Sequence, residues 1–453
     1  MAALRSPVRE LVFAITHNNE NLTLAAEDRD ALLKIIGWNT TPKFPRRGRM
    51  AWHILSRPIQ PQTSSRHLLR AVKIKGVGAY NPPGEGTGRD PILDRYSTAP
   101  RQPTSHPLSS FATYPHLGFD AAGEFCIAFG DTAPVGGILH ARALKEYLAA
   151  EHLSRLGIPC ISPLLVAHYE DLNFNGKPLG AVLSLVPDSA PYRISEVQTG
   201  AALALGADDG RDDYYYRILR ALAVEGDPED ESTRLQAVRL LAQKVGGAIR
   251  AFSKAGLYRY SAEFPNFDFD FDRCEVLFTD LDSTEFVRSL PQTLQELEKL
   301  RDAASMLYHL VAKFSSPTAL GAYTVERLLT VDPLAGALNG LFPSVESRTI
   351  ERASAALWAL YLPHFHLLNA HAEPILTVWS QERRRSYKMD HHLFFCAAMI
   401  VVKQLADKAA DAIYAGTQTT LTVDGLLEKA RRFLGWKFEY LERVVLARLS
   451  LVA

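Results

Sequence analysis

Cysteine is scarce. The chain of 453 residues has 4, at Cys126, Cys160, Cys274 and Cys396, far apart and with no CxxC pair. That excludes a disulfide framework and a cysteine-rich zinc site, and it fits a reducing compartment. An excess of charge is also lacking, with 50 Lys+Arg against 50 Asp+Glu. A basic nucleic-acid binder or a polybasic membrane-surface protein needs an imbalance, so neither nucleic acid nor membrane is expected as a partner. Long apolar runs are missing: the longest, Leu393 to Val402, has ten residues, too few to cross a bilayer. The first 21 residues hold only the short apolar patch LVFAI, less than a secretory signal needs, and the expected location is the cytoplasm. No GxSxG, HExxH, GxGxxG or Walker A pattern occurs, so hydrolase, zincin, Rossmann and P-loop readings have no motif behind them.

What is present is ordinary globular material, 47% apolar and 22% charged, long enough for a large core split into two or three parts. Residues 1–66 form a mixed N-terminal segment with one helical pattern, Ala25 to Gly37, and a basic loop, PKFPRRGRM. His67 to Lys75 reads as a strand running into Gly76-Val77-Gly78. Residues 79–136 are rich in Pro, Gly, Ser and Thr and read as a long inserted loop, beside the nucleotide if there is one. Ile138 to Leu156 reads as a helix stopped at Gly157. Two strands, ISPLLVAHYE and GAVLSLVP, flank Asn175-Gly176, the signal of an antiparallel hairpin. Thr233 to Lys254 is a long helix ending at Gly256, followed by a loop with two short strands. From about residue 290 the pattern is helical (290–314, 348–362, 388–414, 421–450), with one strand-like run, Ile375 to Trp379.

The fold class expected is therefore α+β. A bilobal, protein-kinase-like layout is the best match, with a small antiparallel sheet lobe over 67–190, a helical lobe starting over 191–290, and a helical C-terminal part over 291–453. Catalysis on such a layout needs a strand lysine for nucleotide phosphates, a helix acid to hold it, and an Asn and an Asp to hold magnesium. The order is met by Lys75, Glu146, Asn266 and Asp280. Lys73 lies on the same strand face as Lys75 and is a rival. Glu151 falls on a different part of the helix surface from Glu146. The conventional base position, five residues before Asn266, is Ser261, which leaves Glu263, Asp268 and Asp282 as candidate acids. Phe267 to Asp272 alternates Phe and Asp, which suggests either an acidic wall beside a metal or a solvated edge strand with its rings turned inward. Histidines at 364, 366, 371, 391 and 392 read as helix-end or surface residues rather than a metal site.

Three stretches resemble the selenoprotein O family, kinase-fold proteins that transfer AMP from ATP to protein hydroxyls. They are Ile74-Lys75-Gly76-Val77-Gly78, then Ala143 to Leu148 running on through Glu151 to Leu156-Gly157-Ile158-Pro159, and Thr279-Asp280-Leu281-Asp282. The resemblance covers about 70–290 and is that of a distant relative. It implies a Lys75–Glu146 ion pair, nucleotide contacts at Lys75, Gly76, Gly78 and Arg193, and metal bound by Asp280, while Asn266 as a second metal ligand rests on the kinase-like order of residues alone. ATP and Mg2+ would be the cofactors, and the acceptor a hydroxyl of a protein or small molecule. The chain departs from the family pattern at 79–136, which is longer, at Phe264-Pro265-Asn266-Phe267, near Val186, where an apolar residue replaces an arginine, and at its C-terminus, which has no redox cysteine. A catalytically inactive nucleotide-binding scaffold and a helical interaction protein with a β-rich cap are the competing readings.

Overall fold

The structure is a computed structural model that describes residues 11–40, 44–45, 48–61, 68–80, 104–105, 116–128, 134–188, 193–194, 211–259, 266–315, 323–369, 381–409 and 421–449. It is α+β, with an antiparallel sheet in the first half and helices in the second. The sheet holds β1 (Phe13–Asn18), β2 (Gly48–Ile59), β3 (Leu69–Tyr80), β6 (Ser162–Phe174) and β7 (Lys177–Val186), in the order β1-β6-β7-β3-β2. The two-residue pieces Phe44–Pro45 and Ile138–Leu139 complete it.

The Asn175-Gly176 turn joins β6 to β7 as the sequence suggests. Both residues have positive φ, 50° and 73°, the geometry that a two-residue hairpin favouring Asn-Gly requires. The basic loop expected around 42–50 instead runs into β2, because Met50 to Ile54 pairs with β3, and Ala51, Trp52 and Leu55 are buried. β1 and β2 thus join the sheet of β3, although the sequence reading had set 1–66 apart.

The sheet has two different faces. One face, with Ala51, Val72, Ile74, Leu183 and Leu185, packs on helix α1 (Ala26–Ile36) in a closed cluster of its own. The other turns toward the helices, and there Trp52, Ala71 and Val186 belong to the main core. Helix α2 (His140–Arg155) follows the helical period, with Ala143, Glu146, Tyr147, Ala150 and Leu153 on its buried side. Glu151, on the outside, pairs with Arg155 at 2.5 Å.

Residues 79–136 are not all loop. Strands β4 (His116–Phe119) and β5 (Phe125–Ala128) form a hairpin whose turn is held by Asp120, which accepts from the backbone N–H groups of Ala122 and Glu124. The hairpin docks on the helices of the second half, not beside the sheet. Glu124 pairs with Lys429 and Arg432 at 2.7 and 2.8 Å, and Phe125 meets Phe433 edge-on. For these residues the expected long loop is corrected to a docked hairpin. Their apolar strand faces, Leu117 and Phe125, are buried in the main core.

The second half contains α3 (Arg211–Ala221), α4 (Glu231–Lys254), α5 (Gln292–Ser315), α6 (Val325–Val331), α7 (Pro333–Leu341), α8 (Ser347–Asn369), α9 (Gln381–Lys408) and α10 (Val423–Leu434). The expected helix 421–450 breaks at Gly435. Ile375 to Trp379 lies outside the described residues. His391 and His392 are buried among Tyr308, Phe395 and Phe433, not at the surface as expected; the apolar run that follows them places this turn of α9 in the core. Among the described residues no helix is long and apolar enough to cross a membrane.

Helices α4 and α7 touch backbone to backbone. A Cβ on Gly340 would lie 2.0 Å from the Gln243 carbonyl oxygen. Gly340→Ala is expected to lower stability by about 1–3 kcal/mol, since the overlap is with backbone and must be relieved by moving a helix. A urea midpoint unchanged from that of the parent protein would contradict this contact.

Candidate active site

Lys75 and Glu146 meet because a strand and the next helix converge. Lys75 sits on the helix-facing side of β3, opposite Met50 and Val182 in the register. Gly76, next in line, has φ 91°, and a Cβ there would lie 2.5 Å from the Gly180 carbonyl oxygen. Only glycine fits that approach. Gly78 lies two residues further along β3. Glu146 comes from the buried side of α2. Both are 1% exposed, and the Lys75 ammonium donates to Glu146 Oε2. Glu146 also accepts from the backbone N–H of Leu281 at 3.4 Å.

Asp280 arrives from below. After α4 the chain makes β8 (Leu257–Arg259), then the antiparallel pair β9 (Phe267–Asp270) and β10 (Glu275–Phe278), and then β11 (Thr284–Phe286), which pairs with β8. The Leu156-Gly157-Ile158-Pro159 motif that ends α2 pairs with the far side of β10. There Phe278 N–H donates to Pro159 O, and Ile161 N–H to Phe278 O. The segment that carries Glu146 therefore also fixes the strand that presents Asp280, whose carboxylate accepts from Lys75.

Asp282, raised in the sequence reading only as a base candidate, completes the group. Its Oδ2 is 3.6 Å from the Lys75 nitrogen. Carboxylate oxygens of Glu146, Asp280 and Asp282 lie within 4.8 Å of one another. These are hard oxygen donors at a separation that suits a divalent cation such as magnesium, which takes one or two carboxylates from a protein. Asn266, just before β9, sits beside Thr279: its carbonyl oxygen accepts from Thr279 N–H at 3.2 Å. Its side-chain oxygen accepts from Arg193 at 3.2 Å. The structure thus brings Lys75, Gly76, Glu146, Arg193, Asn266 and Asp280 to one end of β10.

Lys73, the rival lysine, has a different task. It is also 1% exposed, and its amine donates to the Thr279 carbonyl oxygen. Burial, and then the neighbouring Lys75, lower its pKa to about 8. Lys73, Lys75 and Arg193 stand against Glu146, Asp280 and Asp282, so the formal charges of the cluster balance.

The Phe-Asp alternation turns the Phe267 and Phe269 rings inward, as one expectation had it, but the strand is not solvated. β9 stops at Asp270, and its four residues are buried on both faces. Asp270 accepts from the Asp272 and Arg273 N–H groups in the turn, and Asp272 pairs with Arg70. Only Asp268 faces the cleft, beside Trp52. Ser261 and Glu263 lie outside the described residues.

The sequence reading gave no role to Arg259, which with Tyr258 and Tyr260 makes no HRD motif, and it passed over Asp302. Arg259 is fully buried, donates from its side chain to the Asp280 carbonyl oxygen, and gives its backbone N–H to Asp302 on α5. Burial raises the pKa of Asp302 well above the usual carboxylate range. The available signal was an acid on the apolar face of a long helix, which needs a partner.

No protein-family model matches the chain and no curated protein is similar to it, so the resemblance to the selenoprotein O family remains an expectation from three short motifs. Among solved structures the chain is similar to WaaP in complex with acyl carrier protein. The identity is 14%, over 62% of this chain and 94% of that one, with a TM-score of 0.30.

Proposed function

We propose that the chain has a protein-kinase-like fold and acts as a magnesium- and ATP-dependent transferase, moving AMP or a phosphoryl group onto a hydroxyl of a protein or small molecule. The observation that carries this reading is the buried Lys75–Glu146–Asp280 cluster. A strand lysine, an acid on the following helix and an acid at a strand end beyond a long helix are the parts such transfer needs, in the order it needs them.

Each residue then has a task. Lys75 meets the phosphate oxygens, and Glu146 holds its amine in place from inside the protein. Arg193 adds a second cation beside Asn266. Asn266 and Asp280 hold magnesium, with Asp282 in reach. Magnesium supplies charge neutralisation on the phosphates. Asp282, beside Lys75, and Asp268, which lines the cleft, are the described acids that could take the proton of the acceptor hydroxyl. Transfer of this kind depends on positioning and charge more than on covalent chemistry by the protein, so the serine at 261 does not preclude it.

Ser261 favours a second reading, a nucleotide-binding protein without turnover. Calorimetric titration with ATP, with and without magnesium, tests what the two readings share. Saturable, magnesium-dependent binding that Asp280→Ala weakens is expected. No binding by the folded protein at millimolar nucleotide would overturn both. Binding without turnover selects the second.

A further inference from the structure

Among the described residues, the part of the cleft between the sheet and the β9–β10 hairpin that Trp52 and Phe269 line is filled by the chain's own side chains. Strands β2, β3 and β7 lay Trp52, Lys73 and Ser184 in one row, since Trp52 pairs with Lys73 and Lys73 with Ser184. Trp52 is 3% exposed and belongs to the same apolar cluster as Phe267 and Phe269 of the hairpin. Lys73 reaches across to the Thr279 carbonyl oxygen. In the next row Met50 Sδ meets Arg193 at 3.6 Å, and Lys75 meets Asp280. The space left beside the row, bounded by Trp52, Val186, Asp188, Tyr214, Asp268 and Phe269, holds about one water molecule. Among the described residues, a ligand that engages Lys75 meets this row on its way toward Val186 and Asp188.

We propose that this is a self-closed resting state, in which Trp52 plugs the inner half of the cleft, the Lys73–Thr279 contact latches it, and nucleotide entry requires both to withdraw. The proposal rests on reading the cleft as a nucleotide site. The ligand class follows from the plug. An indole is a flat bicyclic ring of purine size, so the seat it vacates, between the sheet and Phe269, is one a purine nucleotide can fill. Apparent affinity falls by the fraction of molecules that are open. With about one molecule in ten open, binding is about tenfold weaker than the open site allows.

The test is magnesium-ATP binding to the full chain, measured by calorimetry and by tryptophan emission, on the parent protein, Trp52→Ala and Trp52→Phe. Circular dichroism establishes that each is folded. Trp52→Ala is expected to bind about tenfold or more tightly than the parent. The emission of Trp52, taken as parent minus Trp52→Phe, is expected to shift to the red as nucleotide is added, because the indole leaves a buried seat. Equal or weaker binding by folded Trp52→Ala overturns the plug, and tight binding by the parent then leaves the transferase reading standing. If Trp52→Ala fails to fold, the emission difference decides alone: a red shift supports the plug and no shift overturns it. Binding by none of the three proteins overturns the plug and the transferase reading together.

Discussion

Asp280→Ala is expected to lower transfer by about a thousandfold or more, in a protein that still folds. Removing one preorganised charge from a site of this kind costs about two to three powers of ten, and a group that acts on transferring phosphate costs more. The fold should survive for a local reason. Lys75 keeps two acids, Glu146 and Asp282, after Asp280 is gone, so no buried charge is left alone. Asp280 is also the most exposed of the three, with 23% of its side chain in solvent against 1% and 6%. Asp280→Asn keeps the shape and loses the charge, and it should be nearly as inactive. Initial rates beside thermal melts check both variants. A loss below tenfold, with an unchanged melt, would remove Asp280 from the reaction.

Lys75→Met should lose activity as well, but with a large loss of stability. It leaves three carboxylates whose oxygens lie within 4.8 Å of one another. Breaking a buried ion pair by deleting one partner costs about 3–5 kcal/mol, because the remaining charge stays desolvated. Glu146→Gln removes one acid of three and keeps a hydrogen-bond acceptor for Lys75, so it should cost less, about 1–3 kcal/mol. The loss in the double variant should be smaller than the sum of the two single losses, since the residues share one network. Urea unfolding of the three variants measures the order. Glu146→Gln as the more damaging single change would contradict the central place given to Lys75.

How much of this was legible in the sequence depended on whether the signal was local. The Asn175-Gly176 hairpin was, because its turn geometry follows from two adjacent residues. Helix α2 was, because its period and its stop are local, whereas the burial of Glu146 was not read from that period. Lys75 could not be told from Lys73 by strand alternation, since both face the same way. Their difference lies in which carbonyl or carboxylate β10 brings to each, a matter of tertiary register. Strand β2 was missed because the basic loop before it hid the start of its alternation. The docked hairpin within 79–136 was missed because Pro, Gly and Ser dominate the composition around it, while Glu124 and Phe125 find partners some 300 positions later, at Lys429, Arg432 and Phe433. Arg259 and Asp302 likewise depend on contacts between α5 and β8 that no spacing announces.

The most direct measurement of the central claim is incubation of the pure chain with magnesium, candidate acceptors and two ATP samples, one labelled at the α-phosphate and one at the γ-phosphate, beside Asp280→Ala. Transfer from one of the two positions, lost in the variant, is the predicted result. Label from α alone identifies AMP transfer, and label from γ alone a phosphoryl transferase. Equal labelling by the parent protein and Asp280→Ala would contradict the account, because the chemistry would then lie outside the cluster of Lys75, Glu146 and Asp280.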